Sequence, residues 1–238
     1  MQSHALRHVL LATSVALVLT ACTPDGTSPS TAPAVTVDTN NQTPTPAAAT
    51  HLPADSGTLP DGFTLPHEND PATDDRGAWE PADWSLSCLD STFPIAVLNQ
   101  LTGSRIRGSE IPEGFDSEGL LQFGSDTDAQ TFMTEVEAGF ADCTTTGEPG
   151  PDNFRGRMAA STTDGPGDST FAVREWREYS EDGETWVESP GGSISLITQQ
   201  GPNIAITQQS GEFLGDALDA VSADDPLFTV ASEILGSV

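Results

Sequence analysis

Apolar residues recur in two rhythms after about residue 80 and only sporadically before it, apart from one run near the N-terminus. Residues 84–89 (WSLSCL) alternate large and small side chains, which predicts a strand carrying Cys88. Residues 93–101 (FPIAVLNQL) place Pro94 in a first turn and set Ile95, Leu98 and Leu101 on one face, which predicts a short helix. Short apolar runs at 104–111 and 119–123 (GLLQF) predict strands. The clearest element is 126–143, where Ala129, Phe132, Met133, Val136 and Phe140 recur at intervals of three and four. That spacing predicts an amphipathic helix capped by Asp126 or Asp128 and ending at Cys143. Strand signals then dominate. One strand is predicted at 155–161, and 171–179 with 184–188 flank Glu181-Asp182-Gly183 as a hairpin in which Trp176 and Trp186 face one another. Ile194 with Leu196 and Ile204 with Ile206 flank Gly201-Pro202-Asn203 as a second hairpin. Helical stretches are expected at 212–221 and 226–235, the latter with Phe228, Ala231 and Leu235 on one face. An antiparallel meander with helices at either end predicts an α+β domain: a single antiparallel sheet of about five to seven strands with helices packed on it.

The exception near the N-terminus is 9–19 (VLLATSVALVL), preceded by His4, Arg7 and His8. A bilayer span needs about twenty apolar residues, so this stretch reads as the core of an export signal over residues 1–21. It ends in Leu19-Thr20-Ala21-Cys22, which looks like a lipobox. That likeness implies a mature chain beginning at a diacylglycerol-modified Cys22, the alternative being an ordinary secretory signal. Two acyl chains hold a protein stably at a membrane where one does not. The membrane, reached through this lipid, is therefore the first expected partner, and the extracytoplasmic face of the cell membrane the expected location. Residues 22–58 are rich in Thr, Pro, Ser and Ala and too poor in large apolar residues to offset their ordering entropy, so they read as a tether. Residues 59–80 read as an acidic lead-in without a period, and 81–238 as the folded domain.

Charge narrows the partners. Thirty-six acidic residues stand against eight basic ones, all Arg, for a net charge of -28. Nucleic-acid binders neutralise phosphates with clustered Lys and Arg, and anionic lipid attracts basic patches; this balance disfavours both. With Cys22 assigned to lipid, Cys88 and Cys143 remain. In an oxidising compartment they are expected to form a disulfide, although a redox or metal-binding pair is the functional alternative. The four histidines, His4, His8, His51 and His67, all precede the predicted domain, which disfavours a His-dependent catalytic arrangement or zinc site within it. There is no Lys for a Schiff base and no Walker or GxGxxG loop. Asp126-Thr127-Asp128 and the run from Asp164 to Asp168 offer oxygen ligands, but neither matches an EF-hand, so cap and turn roles are expected. No cofactor, metal or enzymatic activity is predicted. The alternatives are a carboxylate pair acting in glycan hydrolysis and a purely structural envelope protein.

The candidate binding residues are cationic and aromatic. Six arginines fall in three close pairs: Arg105 with Arg107, Arg155 with Arg157, and Arg174 with Arg177. Residues two apart on a strand share a face, so converging pairs would make a positive patch able to grip a carboxylate or phosphate. The alternative is that they are dispersed and neutralise nearby acids. Trp176 and Trp186 would either wall such a groove or pack the sheet. The expected ligand is accordingly a small anion, another cell-envelope ligand or a protein partner, and not nucleic acid.

The lipobox, the Thr/Pro tether, the helix SDTDAQTFMTEVEAGFADC, the strand GDSTFAVREW and the pair ITQQGPNIAIT followed by a terminal helix together resemble actinobacterial sensor-domain lipoproteins. These are similar to the extracellular domain of the mycobacterial receptor kinase PknH. The resemblance covers residues 80–238 and implies an α/β-layered sensor or ligand-binding domain outside the membrane, without enzymatic activity. This chain departs from that kinase in having one candidate disulfide where its domain has two, and in having no kinase domain or transmembrane helix. No ligand-binding residue carries over.

Overall fold

The alternating apolar residues close into one large antiparallel sheet in the computed structural model, which describes residues 48–89, 91–112, 114–211 and 225–238. The predicted signal, Cys22, most of the tether and the predicted helix at 212–221 lie outside the described residues. The sheet is built from β2 (Asp55–Gly57), β3 (Glu80–Pro81), β7 (Leu101–Ile111), β8 (Gly114–Phe123), β9 (Phe154–Thr163), β10 (Ser169–Tyr179), β11 (Val187–Gln200) and β12 (Asn203–Gly211). Its order is β2-β7-β8-β12-β11-β10-β9, and β3 also pairs with β7. Two small ladders lie outside it: β1 (His51–Leu52) with β4 (Trp84–Ser85), and β5 (Ser87–Cys88) with β6 (Ser91–Thr92). From β8 the chain crosses through α1 (Asp126–Ala141) to β9 at the far edge, then returns strand by strand until β12 docks beside β8.

The two faces carry separate cores. Ile106, Leu121, Phe171, Val173, Ile197, Ile204 and Ile206 pack with Phe132, Met133, Val136 and Phe140 of α1. The alternate positions Leu120 and Ala205, with Ala172 and Leu196, meet α2 (Pro226–Gly236) through Leu227, Phe228, Ala231 and Ile234. The predicted single sheet with packed helices is present, with eight strands where five to seven were expected, and its helices lie on opposite faces. Cys88 and Cys143 form the predicted disulfide, with Cα atoms 6.0 Å apart, tying β5 to the end of α1.

Local differences have local causes. The first strands begin within the segment read as tether, because Leu52, Phe63 and Leu65 are buried although no periodicity announces them. Residues 93–101 form only a 3-10 turn, Ala96–Gln100, since Leu101 already starts β7. The cap of α1 is Ser125 rather than either aspartate: its hydroxyl accepts the Asp128 N–H and donates to the Asp128 carboxylate. Asp168 has the expected turn role, accepting the Gly201 N–H at 2.8 Å. The Trp hairpin is not formed as expected. β11 starts at Val187, opposite Tyr179, so the connection is a seven-residue loop, Ser180 to Trp186, organised by Asp182. The Asp182 carboxylate accepts the N–H groups of Glu184 and Thr185, and those bonds hold it well below the usual carboxylate range. Trp176 then lies opposite Gly192 and Arg157, not Trp186.

Candidate functional site

The register decides which arginines can meet. β7 and β9 are separated by five inter-strand steps, or about 24 Å, so Arg105 and Arg107 cannot join Arg155 and Arg157 in one patch. At the β7 edge the arginines are clamps. Arg105 donates to the Phe63 carbonyl at 2.6 Å, and Arg107 donates to Glu68 and Asp55, each at 3.1 Å. These bonds hold residues 55–68 on the sheet, which is the dispersed, acid-neutralising role rather than a ligand-binding one.

At the other edge the register collects a different set. Arg174 and Trp176 of β10 share a face with Ala172 and the α2 core, and Arg157 lies directly opposite Trp176 on β9. The Arg174 guanidinium lies 4.6 Å and that of Arg157 5.7 Å from the Trp176 ring centre, while Arg155 sits 4.2 Å over Trp186. These are cation–π distances. Glu178 pairs with Arg155 at 2.6 Å and more loosely with Arg157 at 3.7 Å, and Glu188 pairs with Arg174. Five of the eight predicted binding residues thus converge, but as a self-satisfied ladder of guanidinium, indole and carboxylate.

Arg177 points the other way. It shares the opposite face of β10 with Glu175, below the α1 core, where a groove of about 690 Å³ opens at the end of β9, β10 and β11. Two features create it. β11 pairs Gly192 with Trp176 but Ser189 with Arg177, so Pro190 and Gly191 bulge out at the rim. Gly156, opposite Arg177, leaves space that Leu89 partly fills; a Cβ on Gly156 would come within 3.0 Å of the Leu89 Cδ2. Glu148 and Asp152 border the groove from the loop before β9. Among the described residues the Arg177 side chain makes no hydrogen bond or ion pair, and the residue is exposed. Glu175 is different: half-buried in the floor, it accepts one long hydrogen bond, 3.5 Å, from the Leu89 N–H, and burial pushes its carboxyl up from the ordinary value.

A smaller cavity of about 200 Å³ lies on the α2 face between Trp79, Asp116, Glu118 and Leu227. Here His67, excluded from the domain by its position in the sequence, bonds to buried Glu118 through both its backbone N–H at 2.8 Å and its Nδ1 at 2.9 Å. Its ring stacks on Trp79, which Arg76 flanks 5.7 Å from the ring centre. Burial raises the carboxyls of Asp116 and Glu118, opposed at Glu118 by the His67 hydrogen bonds. Neither His67 nor Glu175 carries a sequence signal: each is a lone residue whose role depends on a partner brought from elsewhere in the chain. Among the described residues there is no group of three or more His, Cys, Asp or Glu arranged to hold a metal, and no helix long and apolar enough to cross a membrane.

No family model matches the chain, and no curated protein does. Among solved structures it is similar to the extracellular domain of PknH from Mycobacterium tuberculosis, at 13% sequence identity and a TM-score of 0.39. The match covers 58% of this chain and 64% of that one, less than two thirds of its length, and at that identity it carries no residue role from one chain to the other.

Proposed function

We propose that the chain is a lipoprotein, anchored through Cys22 on the extracytoplasmic face of the cell membrane, whose folded domain binds a small envelope-derived ligand as a sensor or accessory module. The observation that carries the binding role is the groove at the end of β9–β11, where an exposed, unpaired guanidinium and a half-buried carboxyl stand two residues apart on one strand. Its volume falls in the range of about 300–1,000 Å³ typical of ligand pockets. Arg177 supplies the bidentate anion-gripping group that the sequence leads one to seek among the arginines. The described lining offers no imidazole and Ser193 as its single hydroxyl, which gives a Ser-His arrangement no support, and its carboxylates Glu148, Asp152 and Glu175 are read as ligand contacts rather than as an acid–base pair.

A thermal-shift screen of the purified protein against cell-wall fragments and small anions tests the binding role. A ligand in the groove raises the unfolding midpoint of the wild type and not of Arg177→Ala. No Arg177-dependent shift from any member at saturating concentration would overturn the reading. The anchor is tested separately: Cys22→Ala should move the protein from the membrane to the soluble fraction, and unchanged membrane partitioning would sink the lipoprotein assignment.

A further inference from the structure

Most arginines in the described fold already face an acid. Arg76 bonds Asp70, Arg105 and Arg107 bond Glu68, Arg155 bonds Glu178 and Arg174 bonds Glu188. The groove breaks this pattern twice. Glu175 is withdrawn from water without a cation beside it, although a guanidinium lies two positions along the same strand face. Among the described residues the Arg177 side chain has no anion beside it, in a protein of net charge -28. Two residues of strand rise separate their Cα atoms by about 6.6 Å, and both side chains are long enough to converge on one ligand. Isolated buried carboxylates are costly unless a cation or several donors meet them, and a single N–H at 3.5 Å does not do so.

The surroundings fix the sign of what completes the site. Glu148 and Asp152 add negative charge at the rim. Arg155 borders the groove as well, but its guanidinium is engaged by Glu178 and the Trp186 ring. The interior therefore favours a cationic group at Glu175, with one anionic group admitted at Arg177. Gly147, Gly150, Gly156, Gly191 and Gly192 line the walls and bring main-chain groups to the surface that side chains elsewhere would cover.

Taking the groove as the ligand seat, we infer that it binds a zwitterion of the amino-acid or short-peptide class, with the ligand's ammonium on Glu175 and its carboxylate on Arg177. The free cavity exceeds a single amino acid and accommodates a short peptide lying along β10.

The test is calorimetric titration of the wild type, Glu175→Gln and Arg177→Ala with three probes at neutral pH: dialanine, its N-acetyl derivative and its C-terminal amide. Dialanine binds the wild type, and blocking either end weakens binding at least tenfold. Glu175→Gln weakens dialanine and the amide tenfold or more but leaves the N-acetyl form unchanged; Arg177→Ala does the converse. This crossed pattern separates direct contact from a general loss of structure, which would weaken all three probes together. Equal binding of dialanine and its N-acetyl form would overturn the ammonium assignment. If no peptide probe binds while an envelope fragment still gives an Arg177-dependent thermal shift, the zwitterion proposal fails and the ligand seat stands. If neither occurs, both fall.

Discussion

Arg107 is 9% exposed and hydrogen-bonded to two carboxylates, so its removal leaves Glu68 in a part-buried site without its nearest cation. Arg107→Ala should therefore destabilise the fold by about 1–3 kcal/mol in urea unfolding, whereas Arg177→Ala, touching no partner, should stay within about 0.5 kcal/mol. The two look alike in sequence, each half of a close arginine pair. They differ because Glu68 and Asp55 come from stretches of chain with no hydrophobic period, and only the fold reveals that those stretches lie on β7. Glu175 allows a test with the opposite sign. Its carboxyl is raised by burial, with Arg155, Arg177, Glu148 and Asp152 the other charged groups around the groove, Arg155 being engaged by Glu178. A raised folded-state pKa means protonation favours folding; that stability is present below the ordinary Glu range and lost as pH rises through the folded value. Glu175→Gln, neutral throughout, should raise the thermal midpoint relative to wild type at about pH 8 and lose that advantage at about pH 3.5. A midpoint difference independent of pH would contradict the assignment.

Elements with strong periods were legible. The helix at 126–141, the hairpin around Gly201-Pro202-Asn203 and the terminal helix follow from spacing alone, because each buries a continuous apolar face. Phe132, fully buried at the centre of α1, should cost about 3–5 kcal/mol on replacement by Ala. The β10–β11 connection was not legible: Glu-Asp-Gly suggests a tight turn, but the hydrogen bonds of Asp182 close a longer loop and displace Trp186 from the strand. That displacement replaces an expected Trp–Trp pair with separate arginine contacts to each ring, Arg155 on Trp186 and Arg157 with Arg174 on Trp176. The disulfide was legible from cysteine arithmetic together with the predicted export signal. Spanning 55 residues, it should contribute about 4 kcal/mol in the loop-closure model, so the Cys88→Ser, Cys143→Ser double variant should unfold at markedly lower urea concentration. Because Leu89 follows Cys88 and donates to Glu175, the same variant also tests how firmly the groove wall is held.

At the scale of the whole molecule, a charge of -28 implies net self-repulsion in the folded state. Raising salt from about 10 to about 150 mM shortens the Debye length from roughly 30 to 8 Å and should raise the thermal midpoint. A midpoint that falls would mean the ion pairs at Glu68, Glu178 and Glu188 outweigh the global repulsion. The order of the sheet has a further consequence. The outer side of β7 is occupied by β2 and β3. On β9 the preceding loop does the same service: Met158 donates to the Thr145 carbonyl, Gly147 to the Gly156 carbonyl and Gly150 to the Phe154 carbonyl. An exposed sheet edge is a template onto which a neighbouring chain can add a strand. Under the proposed anchoring through Cys22, copies of this domain would meet one another at high local concentration, confined to two dimensions. With both margins of its sheet already hydrogen-bonded to its own chain along much of their length, this domain offers neighbours little to polymerise on, and the segments that compose those seals are the ones whose loss would turn crowding into aggregation.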